Sequence, residues 1–299
     1  MSKSVCMKFI KKILLKAISK YRSYAVSFRI KKYLKKGMIS WTPGYCEYKT
    51  LEIIKVINNV NLVKDFNNKI PKGFGLRLDE RIVEYPWIFS HLSERKGMLL
   101  DAGSTFNFEY IVNHPVVSNK QLLIFTFYPE TNNYSSKRIS YIYGDLRNIP
   151  FKDGVFDEIV CQSTLEHIDM DNSIYGYQID NSSSKMEKNY EYVKVVSELY
   201  RLLKPQGVLL ITVPYGKYEN HGFFQQFDRT MIDRLEIALP NGEIETDYFT
   251  YTLQGWKYSS MNDCNQSTSY NPHTGAGKGT DGAAHSRSVC CIKFIKGNN

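Results

Sequence analysis

From residue 97 onward, apolar and polar positions fall into short blocks that alternate in kind. "GMLLDAG", "QLLIFTFYPE", "RISYIYGDL", "VFDEIVCQST" and "VLLITVPYG" are apolar runs that predict five strands, the first of them fully buried. "NFEYIVNHP" predicts a short helix between the first two. "YEYVKVVSELYRLLKPQG" predicts a longer one before the fifth, stopped at Pro205-Gln206-Gly207. "ETDYFTYTLQGWKYSS" and "SRSVCCIKFIKG" add two strands near the end of the chain. Strands alternating with helices predict an α/β fold, a doubly wound and mostly parallel seven-stranded sheet of the Rossmann-like kind.

Upstream the pattern is different. Within residues 41–96, "SWTPGY" predicts a turn, and "KTLEIIKVINN" and "LDERIVEYPWIFSHL" two helices, so this stretch reads as a helical lead-in or cap. Within residues 1–40, Phe9, Ile10, Ile13, Leu14, Ala17, Ile18 and Tyr21 recur at helical spacing opposite lysines. Lys11, Lys12 and Lys16 break the apolar stretch, so it is not a secretory signal. The expected organisation is a basic amphipathic extension over 1–40, the lead-in over 41–96 and one catalytic domain over 97–299.

Charge sharpens the reading of the extension. Residues 1–36 hold ten lysines, two arginines and no acid, whereas the rest of the chain holds 27 basic and 30 acidic side chains. A fold that grips nucleic acid carries its positive charge on the folded face, so nucleic acid is not the expected partner. A basic amphipathic helix suits an anionic membrane surface; the alternative is a helix docked on its own domain with a solvated lysine face. Cys6, Cys46, Cys161, Cys264, Cys290 and Cys291 form no C-x-x-C pair, which argues against a zinc cage and for a reducing, cytoplasmic setting, peripheral on the inner membrane face where the extension engages lipid. No metal is expected. "NPHTGAGKGTDGAAHS" resembles a phosphate-binding loop only superficially: Gly279 follows Lys278 where Ser or Thr is needed, so a surface loop is expected.

In a doubly wound sheet, ligands bind beyond the carboxyl ends of the strands. The residues there are Asp101, Gly103, Ser104 and Thr105 after the first strand and Pro129 and Glu130 after the second. Asp145 and Leu146 follow the third, Ser163, Thr164, Glu166 and His167 the fourth, and Tyr215 and His221 the fifth. A nicotinamide dinucleotide wants G-x-G-x-x-G after the first strand, and "DAGSTFNFE" lacks it.

Taken in order, "LLDAGS", "GDLRNIPF", "FDEIVCQSTLEHI" and "LYRLLKPQGVLLITVP" resemble the motifs of the class I S-adenosylmethionine-dependent methyltransferases, in the broad group that includes small-molecule and glycan-modifying enzymes. The resemblance covers roughly residues 97–216 and the final strand. It implies S-adenosyl-L-methionine as cofactor, with Asp101, Gly103 and Ser104 along its methionine end, and with Asp145 and Leu146 beside the adenine. Ser163 is implied as a further cofactor contact. Phe127 stands where the ribose-binding acid is expected, so Glu130 is the implied substitute from the turn. His167 faces the transferred methyl in similar enzymes and is the candidate base, or else a packed histidine at a helix start. Glu166 holds the cofactor or His167, or acts on the acceptor; His221 and Tyr215 are candidates for the acceptor site. The Asn/Asp-Pro-Pro-Tyr signature of amino methylators is absent from "QSTLEH", which favours oxygen as the acceptor. The expected activity is O-methylation of a sugar or glycan intermediate in polysaccharide biosynthesis at the cytoplasmic membrane face. The alternatives are another small-molecule or lipid acceptor, or an inactive cofactor-binding module.

Overall fold

The computed structural model describes residues 23–173 and 187–298. The first part of the basic extension, with Phe9 to Tyr21 and Cys6, lies outside the described residues. Helical backbone over residues 23–35 (α1) leads to α2 (Tyr45–Ile57), two single turns α3 (Val60–Val63) and α4 (Phe66–Lys69), and α5 (Arg81–His91). The sheet then begins with β1 (Met98–Ala102), followed by the short α6 (Glu109–Val112) and α7 (Pro115–Ser118), β2 (Gln121–Thr126), β3 (Ser140–Tyr143) and β4 (Phe156–Gln162). After α8 (Tyr192–Leu202) come β5 (Leu203–Pro214), the two-residue ribbons β6 (Glu219–Asn220) and β7 (Gln225–Gln226), and α9 (Arg229–Ile237). The chain closes with β8 (Gly242–Thr252), β9 (Gly255–Ser259), α10 (Met261–Cys264) and β10 (Ser288–Lys296).

Eight strands form one sheet in the order β3-β2-β1-β4-β5-β10-β8-β9. The five strands from β3 to β5 are parallel, and β10 runs antiparallel between β5 and β8. The eighth strand comes from "ETDYFTYTLQGWKYSS", expected as a single strand but folded into a hairpin: Thr252 pairs with Gly255, and Gly255 takes φ 93°, a conformation that suits glycine. The Pro205-Gln206-Gly207 stop is also displaced. β5 starts at Leu203, directly after α8, and the tripeptide is a bulge that β4 skips by pairing Phe156 with Leu203 and Glu158 with Val208.

Strand alternation explains why the predicted runs are apolar throughout. Leu99, Val160, Leu210 and Cys291 join the core on the face covered by α2 and α5, while Leu100, Ile159, Leu209 and Cys290 join the core beneath α8 and α9. The adjacent cysteines therefore sit on opposite faces of β10, and the described cysteines are free. On the first face, Trp87 of α5 is wholly buried and donates from Nε1 to Asp247 Oδ2 at 2.7 Å, fixing the lead-in to β8. The 271–285 loop is anchored at its far end, where Ala283 and Ala284 are buried in the same core.

Among the described residues, no helix is long and apolar enough to cross a membrane. Nor does any group of three or more metal-ligating side chains occur among them.

Candidate active site

A pocket opens at the carboxyl ends of β1, β2, β3 and β4, the place where a doubly wound sheet presents its ligand site. Gly103 and Thr105 come from the β1 loop, and Thr126, Phe127 and Glu130 from the end of β2. Asp145, Leu146 and Arg147 follow β3, and Ser163, Thr164, His167, Asp169 and Asn172 follow β4. Arg81 enters from the first turn of α5. Of the residues expected from sequence, Gly103, Glu130, Asp145, Leu146, Ser163 and His167 share this pocket.

Five others do not line it. Asp101 is fully buried and turned onto its own loop: Oδ1 accepts from Thr105 N (3.1 Å) and Oγ1 (3.2 Å), and Oδ2 accepts from Phe106 N (2.8 Å). A short acid that caps the N–H groups four and five residues ahead shapes the loop instead of reaching a ligand. Burial pushes its carboxyl up to about 7, against the lowering effect of those donors. Ser104 is buried behind Gly103 in the left-handed region (φ 65°), its hydroxyl without a hydrogen-bond partner among the described residues. Glu166 is buried beneath the pocket, where desolvation holds its carboxyl well above the usual range, and Oε2 likewise has no partner. Tyr215 is fully buried and donates to Asn265 Oδ1 at 2.5 Å, on the β5–β10 side of the sheet. His221 stacks on Phe224 at 4.6 Å between ring centroids and bonds Ser269 Oγ at 3.0 Å, so it packs the β6–β7 loop.

His167 is held differently. Its Nδ1 faces the carbonyl oxygen of Phe223 at 2.7 Å, so Nδ1 carries the proton and Nε2 is the basic nitrogen. Burial pulls its pKa down to about 4, outweighing the raising effect of the Phe223 carbonyl. The ring is therefore neutral at physiological pH. Asp145 accepts from Arg147 Nε (3.1 and 3.0 Å) and Nη2 (2.7 Å); burial works to raise its pKa, but the bonds and charge of Arg147 hold it below the usual range. Glu130, displaced from the strand to the turn, is anchored by Asn107 Nδ2 at 2.9 Å. Asn107 in turn accepts from Tyr141 Oη at 2.9 Å and donates to Asn132 O at 3.1 Å, so one buried side chain ties the turn to β3.

Sequence reading missed Arg81 and Arg147. Arg147 sits two residues after the acid of the third-strand turn, where a basic residue can fold back on it. Arg81 carried no comparable signal, because it belongs to a helix that precedes the sheet in the chain. The polar residues that follow the β6–β7 turn serve structure: Asp228 caps α9 by accepting from Met231 N at 3.1 Å, and Gln225 and Gln226 are fully buried.

The strand order and the ligand-site position are those of a doubly wound, Rossmann-like methyltransferase fold. Residues 126–211 match the family model described as "Methyltransferase domain". That match supports a methyltransferase with S-adenosyl-L-methionine as its cofactor, in keeping with the class I motifs that the sequence resembles. No curated protein matches the chain in sequence. Among solved structures it is similar to an S-adenosylmethionine-dependent methyltransferase from Methanosarcina mazei (14% identity, 72% of this chain and 99% of the other, TM-score 0.42). It is also similar to the N-methyltransferase NodS from Bradyrhizobium japonicum (13% identity, 73% and 97%, TM-score 0.42). A third is the 1,6-didemethyltoxoflavin-N1-methyltransferase of Burkholderia thailandensis, solved with S-adenosylhomocysteine (11% identity, 84% and 90%, TM-score 0.42).

The pocket residues fit that cofactor. Glu130 and Asp145 offer carboxylate acceptors suited to a ribose diol and an adenine amino group, Phe127 offers an aromatic face, and Arg81 offers a cation.

Proposed function

We propose that this methyltransferase acts on a hydroxyl group of a sugar or glycan intermediate presented at a membrane face. The observation that carries the oxygen acceptor is His167: a neutral imidazole in the pocket wall, its Nδ1–H engaged by Phe223, leaving Nε2 as the proton-accepting nitrogen. A hydroxyl must lose its proton as it attacks, and a positioned base contributes roughly 10²–10⁴-fold to such a step. When bound, S-adenosyl-L-methionine supplies an electrophilic sulfonium methyl. The residues that would hold it are Gly103, Glu130, Asp145, Leu146 and Ser163. The chain's own share of the reaction is to orient the acceptor and take its proton at Nε2 of His167.

The acceptor class is supported by polarity and charge. Asp169 and Asn172 line the pocket on the His167 side, where they suit a hydroxyl-rich molecule. The extension is basic, and the described part of its helix turns aromatic and lysine side chains to solvent, which suits an acceptor anchored in an anionic membrane.

The test is calorimetry with S-adenosylhomocysteine followed by methyl transfer to a panel of sugar nucleotides, lipid-linked glycans and amines. Cofactor binding with transfer to hydroxyl-bearing sugars supports the reading. Binding with transfer confined to amines overturns the oxygen acceptor, and no binding at millimolar cofactor overturns the enzyme.

A further inference from the structure

Where β4 and β5 part, one carboxylate from α5 gathers four donors from three elements. Glu84 is wholly buried. Its Oε1 accepts from Ser163 Oγ (2.5 Å) and Thr212 Oγ1 (2.7 Å), and its Oε2 from Gln162 Nε2 (3.1 Å) and Arg81 Nη1 (2.9 Å). Two of these donors, Arg81 and Ser163, line the pocket, whereas Glu84 does not.

Both pocket residues depend on this hold. Ser163 stands at φ 39°, a left-handed conformation that a non-glycine residue adopts only when its surroundings impose it. Its N–H donates to Thr212 O (2.9 Å) and Thr212 Oγ1 (3.1 Å), and Thr212 is itself fastened by Glu84. Arg81 has two other acids near it, Glu80 and Glu166, but neither pairs with its side chain. Glu80 pairs with His285 at 2.9 Å. Glu84 is the carboxylate that fixes the guanidinium. A buried ion pair is weak support for stability, because apolar side chains of similar size commonly do as well or better. The use of this one lies in what it places.

We infer that Glu84 is a positioning residue for cofactor binding: through Arg81 and Ser163 it sets the pocket wall between the β1 loop and the β4 loop. The inference rests on the pocket being the site of S-adenosyl-L-methionine.

A glutamine at position 84 separates this role from a structural one. Its Oε1 keeps the Ser163 and Thr212 bonds. Its new amide meets Gln162, whose own Oε1 is buried without a partner, so a flip of the Gln162 amide restores that bond. The contact with no replacement is the one to Arg81, which would face an N–H instead of a carboxylate.

The experiment measures S-adenosylhomocysteine affinity and thermal unfolding for the wild-type chain, Glu84→Gln, Arg81→Met and the double variant. Glu84→Gln leaves the Arg81 cation without its carboxylate, so it is expected to melt below the wild type but to stay folded at the temperature of the titration. There its dissociation constant rises roughly tenfold, the order expected for one lost charged hydrogen bond. The double variant is expected to bind no more weakly than Arg81→Met alone, since both changes remove one contact. Wild-type affinity in Glu84→Gln, or additive losses in the double variant, overturns the inference while leaving the cofactor site intact. A wild-type chain that binds no S-adenosylhomocysteine overturns the cofactor reading itself, and this inference with it.

Discussion

Nδ1 of His167 lies 2.7 Å from the carbonyl oxygen of Phe223, which fixes both the tautomer and the orientation of the ring. With its pKa drawn down to about 4 by burial, the imidazole stays neutral across the physiological range. Turnover should therefore persist as pH falls through 6.5, where an ordinary histidine would charge, and fail only near pH 4. His167→Gln should lower kcat by about 10²-fold or more while changing cofactor affinity by less than about threefold. Full turnover in that variant would remove His167 as the base.

Gly103 takes φ 122°, and a Cβ there would enter the van der Waals envelope of the Thr164 side chain. Gly103→Ala should destabilise the fold by about 3 kcal/mol or more, from backbone strain and overlap together, and should weaken cofactor binding by moving the β1 loop. Adding Thr164→Ala should recover the part due to overlap and leave the part due to φ. Thermal unfolding and calorimetry on the single and double variants check both.

Asp101 gives stability a pH dependence of opposite sign to that of His167. Its carboxyl rises to about 7 in the fold, so between the ordinary carboxylate range and pH 7 the unfolded chain releases its proton first. Stability from Asp101 is thus complete at low pH, falls as pH rises through that window, and levels off above 7. His167, depressed in the fold, leaves the unfolded chain binding more protons between about 4 and 6.5, so its contribution is lost as pH falls. The two slopes oppose each other. Denaturation of wild type, Asp101→Asn and His167→Gln across pH 4–8 should show a steeper rise with pH in Asp101→Asn and a net fall in His167→Gln; parallel curves would reject both assignments.

How far the sequence carried these conclusions depended on where each residue sits relative to a strand. Gly103, Asp145 and His167 were legible because buried strands are continuous apolar runs, and a break in such a run marks a carboxyl end. Arg81 and Glu84 were not. They lie in "LDERIVEYPWIF", where the amphipathic pattern accounts for the helix without saying that an acid beside Val83 and Tyr85 is turned into the core. The orientation of Asp101 was hidden for another reason. An acid at a strand end can face a ligand or the N–H groups of its own loop, and only the path of Thr105 and Phe106 decides between them. The hairpin within "ETDYFTYTLQGWKYSS" carried a signal in Gly255, yet Leu253-Gln254 is not a customary turn pair.

The described part of the extension offers a test of membrane contact that leaves the fold intact. α1 is fastened at Tyr33, buried against Tyr45 and Tyr48, and at Arg29, whose Nε lies 2.6 Å from Glu47 Oε1. Removing the whole extension would break those contacts and confuse two effects. The other face is exposed: Tyr24 and Phe28 keep 66% and 68% of their surface, and Lys31, Lys32 and Lys35 follow at helical spacing on the same side. Each lysine near anionic headgroups is worth about 1 kcal/mol. Reversing Lys31 and Lys32 to Glu should therefore lower binding to anionic liposomes by at least roughly tenfold, and Phe28→Ser should lower it further by removing a buried ring. Neither variant should alter melting temperature or S-adenosylhomocysteine affinity, because these side chains point away from the body. Flotation of wild type and variants with anionic and with neutral liposomes decides the matter; equal flotation of all three on anionic vesicles would show that this face does not meet the membrane.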